Sequence, residues 1–127
     1  MMLQNNRVGV SVVIYGIKNC DTMKKARAWL DVHGVAYTFH DYKIQGIARA
    51  KLEKWLTDTS WETLLNRSGT TFRKLPEKDR EGLTEEKAIA LMLAQPSMIK
   101  RPVLETDGKP VVGFKPDIYG QIFPGRR

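Results

Sequence analysis

Cys20 is the only cysteine among the 127 residues, and its setting suggests chemistry. It stands between an apolar, β-branched segment and a segment with helical periodicity. A thiol at the start of a helix lies beside unpaired backbone N–H groups and the positive end of the helix dipole. Both favour the thiolate, and the same N–H groups can bind an oxyanion. The sequence therefore predicts a nucleophilic thiolate in a redox or oxyanion-handling site.

A buried cysteine that only packs is the alternative, because free cysteine is among the residue types most often buried. The neighbours of Cys20 favour the reactive interpretation. Lys18, Asn19, Asp21 and Thr22 are all polar, and apolar residues resume only at position 23.

Met23 occupies the position where a CxxC redox pair would carry its second cysteine. With a single thiol, the chain has no internal resolving cysteine, so disulfide chemistry requires a thiol from another molecule. Glutathione or a glutaredoxin is the expected partner. The two histidines, His33 and His40, have no spacing relative to Cys20 that suggests a metal site.

The elements around Cys20 follow from periodicity. Residues 8–15 (VGVSVVIY) favour a buried strand, strongest at 12–15, and residues 35–42 alternate as a second strand. A helix from about residue 22 lies between them and stops at Gly34. The unit predicts two parallel strands with a right-handed crossover. Asn19, Asp21 and Thr22 are alternative N-caps for the helix.

Residues 46–96 change character and predict short helices joined by loops. After Pro96 a hairpin is expected across 102–113, turning at Asp107-Gly108, and Pro116 suits the first turn of a last helix. The order indicates an α/β protein with a thioredoxin-like fold, a βαβ–ββα mixed sheet with a helical insertion. We expect a core at 12–45 and 97–123, an inserted subdomain at 46–96, and a flexible N-terminal extension at 1–11.

Composition limits the classes of function. The formal net charge is +7, but the basic residues are dispersed, so nucleic acid is an unlikely partner and a small anion fits better. No apolar run is long enough for a membrane span, and the N-terminus does not resemble a signal peptide. We therefore expect a cytoplasmic protein that does not bind membranes.

Five motifs in one order carry a family resemblance over about residues 12–123. They are residues 15–26 (YGIKNCDTMKKA), 41–43 (DYK), 64–67 (LLNR), 99–103 (IKRPV) and 112–116 (VGFKP). Together they resemble the arsenate reductase (ArsC) family, most closely its YffB-type branch, with the Spx-type regulators as related proteins.

The resemblance implies which residues form the site. Cys20 is the expected nucleophile, supported by its neighbours Asn19 and Thr22, and Pro102 matches a cis proline. Arg67 and Arg101 match two of the three arginines that hold the oxyanion, whereas the third position is Lys115, a departure. A lysine keeps the charge but loses the two-donor fork that arginine offers an oxyanion.

The function implied is an arsenate-reductase-like thiol oxidoreductase that depends on glutathione or a glutaredoxin. Glutathione would be a co-substrate, a small arsenate-like oxyanion a possible substrate, and no bound cofactor or metal is expected. A regulator that binds RNA polymerase, as Spx-type proteins do, is one alternative, although Met23 removes the CxxC that many of them carry. A non-enzymatic glutathione-binding module is another.

Overall fold

A computed structural model describes residues 11–125, and its centre is a four-stranded sheet. The strands are β1 (Val12–Gly16), β2 (Thr38–Asp41), β3 (Val103–Thr106) and β4 (Lys109–Val112). Their spatial order is β2-β1-β3-β4, with β2 parallel to β1 and the other pairs antiparallel. The predicted βαβ unit and hairpin are confirmed. Except for Ser11, the extension predicted at 1–11 lies outside the described residues.

Eight α-helices and one 3₁₀ turn are present in the described part of the chain. They are α1 (Asp21–Val32), α2 (Tyr42–Gln45), α3 (Arg49–Trp55), α4 (Trp61–Leu64), α5 (Thr70–Arg73), α6 (Glu77–Arg80), α7 (Glu85–Ala94), the 3₁₀ turn Pro96–Met98 and α8 (Pro116–Ile122). The short helices between 46 and 96 and the proline-led last helix are as expected. None of the helices within 11–125 is long and apolar enough to cross a membrane.

The alternation of β1 separates two cores. Ile14 points to the face covered by α1 and α8, where it packs with Leu30 and Tyr119. Tyr15 points to the opposite face, where Trp55 and the other inserted helices pack. The sheet is therefore covered on both faces.

The second strand is shorter than predicted. The sequence suggests a strand over 35–42, but β2 begins at Thr38, which pairs with Val13, and Tyr42 already opens α2. Val35 is buried because it packs into the core as part of a loop. Its apolar character reflects that packing rather than a place in the sheet.

The hairpin turn follows its sequence. Asp107 and Gly108 both have positive φ, 51° and 81°, which is the backbone of a type I′ turn. This turn matches the twist of the two strands it joins, so β3 and β4 pair from Thr106 and Lys109 onward.

One buried carboxylate ties the insertion to the sheet. Glu105 on β3 accepts hydrogen bonds from Tyr15 Oη at 3.1 Å, Trp55 Nε1 at 2.9 Å and Lys51 Nζ at 3.0 Å. Burial by itself would raise the pKa of Glu105, but the bonds from Trp55 and Lys51 outweigh it and lower the pKa below its ordinary value. The charged carboxylate therefore links β1, β3 and α3.

Candidate active site

Cys20 lies at the junction of β1 and α1. It is the N-cap of α1, with extended backbone (φ −145°, ψ 125°), and its carbonyl accepts a hydrogen bond from Lys24 N at 3.0 Å. The sequence offered Asn19, Asp21 and Thr22 as caps, and each is wrong. The expectation came from the preference for oxygen-bearing caps, yet the N-cap is Cys20, whose side chain makes no capping hydrogen bond.

The thiol is half-buried and faces an open cavity of about 300 Å³. Cys20 also packs against the cores on both faces of the sheet, which holds the start of α1 in place. Thr22 from the first turn of α1 lines the same cavity. The rest of the lining comes from three other segments: Asn66, Lys100 with Arg101, and Gly113.

A two-stranded contact brings Asn66 to the cavity. Leu65 and Ile99 form an isolated antiparallel bridge, although they are 34 positions apart in the sequence. Asn66 N donates to Met98 O at 2.7 Å, and Lys100 N donates to Leu64 O at 2.8 Å. The insertion is thereby fixed beside the segment that leads into β3.

One nitrogen of the Arg101 guanidinium forms a hydrogen bond within residues 11–125, and a second forms none there. Its Nη1 donates to Ser97 O at 2.7 Å, and the Arg101–Pro102 peptide bond is cis, as expected. The Nε of Arg101 is buried and has no protein partner within residues 11–125. The guanidinium is thus held in place by the protein at the wall of the cavity.

Lys100 and Arg101 give the cavity a positive lining. No carboxylate is among the cavity's lining residues in the part of the chain that the structure describes. The charge of Arg101 also acts on Tyr42 in the core. Burial raises the pKa of Tyr42 well above its ordinary value, and the positive charge of nearby Arg101 opposes that rise. An anion or a thiolate in this cavity would meet two cations in a partly desolvated setting, where charges interact more strongly than in water.

The other predicted site residues lie elsewhere. Arg67 is exposed, and its guanidinium carbon stands 5.6 Å from the centroid of the Trp61 ring, a cation–π arrangement outside the cavity lining. Lys115 lines a neighbouring cavity instead. Asn19 is exposed and is also outside the lining.

Sequence reasoning missed Asn66 and Lys100 as site residues. Both occur in the motifs that carry the resemblance, each directly before a selected arginine. The only sequence clue to Lys100 is its place before the Arg101-Pro102 pair. The only sequence clue to Asn66 is likewise its place before Arg67, because its position at the cavity depends on pairing with a distant segment.

The comparisons with known proteins identify the family of the chain. The ArsC family profile matches residues 15–122, most of the chain. The chain belongs to the ArsC family. The mixed sheet with its helices is accordingly the thioredoxin-like fold that the resemblance implied.

Three proteins that are similar to this ArsC-family chain carry different descriptions. A solved structure of the YffB protein is 64% identical with a TM-score of 0.85, covering 87% of this chain and 97% of that one. An arsenate reductase (ArsC) related protein from Brucella melitensis is 62% identical with a TM-score of 0.72, and the match covers 90% of this chain and 95% of that one. The global transcriptional regulator Spx of Streptococcus mutans is 29% identical, and the match covers 89% of this chain and 83% of that protein.

Proposed function

We propose that this ArsC-family protein is an arsenate-reductase-like thiol oxidoreductase that uses Cys20 as its single nucleophile and takes its second thiol from glutathione or a glutaredoxin. The observation that carries the proposal is the cavity in which the Cys20 thiol meets Lys100 and Arg101. A thiolate and an anionic ligand repel each other, so a site that joins them needs cations. This cavity supplies two.

The reaction proceeds in two thiol–disulfide exchanges. The Cys20 thiolate attacks the glutathione sulfur of a mixed disulfide, the S–S bond breaks, and the leaving thiolate takes a proton from water. The thiolate of a second glutathione then attacks the glutathione sulfur on Cys20. Glutathione disulfide leaves, and Cys20 returns as the thiolate. A glutaredoxin thiol can replace the second glutathione.

The cations bind and orient the anionic groups of the ligand. Arg101, whose Nη1 is held by Ser97, offers a carboxylate or an oxyanion its remaining accessible N–H groups, whereas Lys100 acts as a point charge. The Asn66 amide can donate or accept, and its Oδ1 already accepts a hydrogen bond from Ser68 Oγ at 3.2 Å. A small oxyanion such as arsenate would use the same donors.

Mass spectrometry of the intact protein tests the first exchange. Reduced wild-type protein incubated with glutathione disulfide should gain one glutathionyl group, and Cys20→Ser should gain none. Turnover follows from NADPH consumption with glutathione, glutathione reductase and glutathionyl-cysteine. Unmodified wild-type protein in the first assay, or no turnover in the second, would contradict the proposal.

Charge variants test the role of the cavity. Lys100→Gln and Arg101→Gln should each raise the KM for glutathione by about tenfold, the effect of losing one charge-assisted hydrogen bond. Arg73→Gln is the matched control, because it removes the same charge from an exposed residue outside the cavity lining. Equal effects of all three substitutions would mean that only net charge matters and would refute the cavity's role.

Arsenate is a separate arm of the experiment. Amide shifts of Cys20, Asn66 and Arg101 on titration with arsenate, phosphate and glutathione in turn would show whether the ligands share the cavity. Shared shifts, with arsenate-dependent NADPH consumption in the coupled assay, would make arsenate a substrate. Shifts with glutathione alone would restrict the substrates to thiols and disulfides.

A regulatory role through RNA polymerase is the second candidate, favoured by the similarity to the Streptococcus mutans regulator. Met23 stands against it because the site lacks a CxxC pair. Recovery of polymerase subunits on the immobilised protein, together with absence of turnover, would support regulation. Turnover without recovery of polymerase would exclude it.

A further inference from the structure

A second cavity adjoins the Cys20 cavity and is unused by the proposed reaction. It measures about 430 Å³ and lies between β4 and the start of α8. It is lined by Val111, Val112, Gly113, Phe114, Lys115 and Ile118, and we call it the Lys115 cavity. Gly113 lines both cavities, so the two meet at this residue.

The walls of the Lys115 cavity are mostly apolar, with a single cation. Ile118 is 39% exposed, so part of this apolar side chain is open to a ligand, and Lys115 is exposed as well. Such a surface suits a ligand that carries an apolar side chain together with an anionic group.

Within residues 11–125, β4 is the last strand of the sheet, so it adds backbone groups to this surface. Gly113 N donates to Pro102 O at 2.8 Å, which makes that pair a hydrogen-bonded one. Pairs alternate along an antiparallel ladder, so the next pair, Val103 and Val112, is not hydrogen-bonded. The N–H and C=O of Val112 therefore point away from β3, toward the free edge.

Resting on the proposed function, we propose that the mixed disulfide reduced by Cys20 belongs to an extended polypeptide segment that pairs with the free edge at Val112. Its glutathionyl group occupies the Cys20 cavity. A neighbouring apolar side chain enters the Lys115 cavity, and an acidic side chain lies against Lys115. A peptide backbone satisfies the edge groups of Val112, and strand addition of this kind is a common way to bind peptides.

The covalent step is the attack of Cys20 on a glutathione mixed disulfide, in which the leaving group is now the cysteine of the polypeptide. Cys20 attacks the glutathione sulfur, and the polypeptide's cysteine leaves as a thiolate that water protonates. The freed polypeptide then dissociates from the edge of β4, and glutathione regenerates Cys20. No further oxidant or reductant is required.

Three glutathionylated probes of the wild-type protein test the proposal. The first is a peptide with leucine and glutamate near its cysteine, the second replaces these by serine and lysine, and the third is glutathionyl-cysteine. We expect kcat/KM for the first peptide to exceed that for the second at least about tenfold, as for one apolar side chain entering a pocket. Equal values for all three probes would overturn the inference.

Variants locate the effect in the Lys115 cavity. Lys115→Gln and Ile118→Ser should each lower kcat/KM for the leucine–glutamate peptide while leaving that for glutathionyl-cysteine unchanged. An equal loss with both probes would show that these residues serve the reaction itself and would contradict the inference. If the wild-type protein fails to turn over even glutathionyl-cysteine, the proposed function fails and this inference falls with it.

Binding without chemistry provides a second readout. With Cys20→Ser, the reduced leucine–glutamate peptide should shift the amide signals of Val112, Gly113 and Lys115. Unshifted signals at saturating peptide would overturn the strand pairing. A dimer that dissociates on Ile118→Ser would assign the cavity to a second copy of the chain and would also overturn the proposal.

Discussion

Glu105 is the residue whose replacement should be most informative about how the insertion is held to the sheet. We predict that Glu105→Gln lowers the free energy of unfolding by about 2–4 kcal/mol. The amide preserves the shape of the side chain but removes its charge and one acceptor oxygen. At least one of the donors on Tyr15, Lys51 and Trp55 then lacks its partner.

The magnitude follows from burial and the number of bonds. The Glu105 side chain is 7% exposed, so water cannot replace a lost acceptor there. A hydrogen bond to a charged group contributes about 1.5–3 kcal/mol, and an unsatisfied buried donor costs about 1–3 kcal/mol. Lys51 is 30% exposed, so solvation of its ammonium reduces the loss from that partner. The total therefore stays below the sum of all three bonds.

Urea denaturation followed by circular dichroism measures the effect. Wild type, Glu105→Gln, Lys51→Met and the double variant form a cycle, and we expect a coupling energy of at least about 1 kcal/mol. Glu53→Gln is the matched control, because Glu53 is 54% exposed and pairs with Arg49 on the surface. Its loss should stay below about 0.5 kcal/mol. A similar small loss for Glu105→Gln would refute the reasoning.

The same hydrogen bonds to Glu105 make the stability of the protein depend on pH. The pKa of Glu105 is lowered because the bonds from Trp55 and Lys51 outweigh the effect of burial. A depressed pKa contributes stability above the ordinary value of 4.5, and this is lost as the pH falls through the folded-state pKa. Wild type should therefore lose more stability in acid than Glu105→Gln does. Parallel losses would contradict the assigned role.

Three further predictions concern the core and the turns. Burial raises the pKa of Tyr42, so its stabilising effect is complete below its ordinary pKa of 10.0 and is lost as the pH rises from there through the folded-state value. Urea midpoints should therefore fall only once the pH rises above about 10, and they should fall less in Tyr42→Phe. Gly16→Ala should cost about 1–3 kcal/mol, because a Cβ there would stand 2.8 Å from Met23 Cε; an unchanged melting temperature would contradict this packing. Gly108→Ala should lower the free energy of unfolding by about 1 kcal/mol, because the φ of Gly108 is +81°. Gly120→Ala is the control and should not destabilise the protein, because Gly120 lies on α8 with open space around it. Equal melting temperatures of these two variants would argue against strain in the turn.

The local elements of the fold could be predicted from the sequence because their causes are local. Alternating β-branched residues led to β1, Asp107-Gly108 specified the hairpin, and Pro116 marked the start of α8. Cys20 could be placed between strand and helix for the same reason. Each inference needs only neighbours within a few residues.

The boundaries were harder where the tertiary structure competes with local preference. Val35 has the composition of a strand residue but packs as part of a loop, and the N-cap preference for oxygen-bearing side chains failed at Cys20. Both residues pack with core residues that are distant in the sequence. The sequence around each position does not contain those contacts.

The composition of the candidate site was decided by tertiary structure. Asn66 reaches the cavity only because residues 64–66 pair with residues 98–100, and Arg67 lies on Trp61 rather than beside Cys20. The partners of Glu105 likewise come from positions at least 50 residues away in the chain. The sequence by itself determined that Cys20 would begin a helix as a lone thiol. Which cations would face it depended on backbone pairing between distant segments, and that pairing has no local signature.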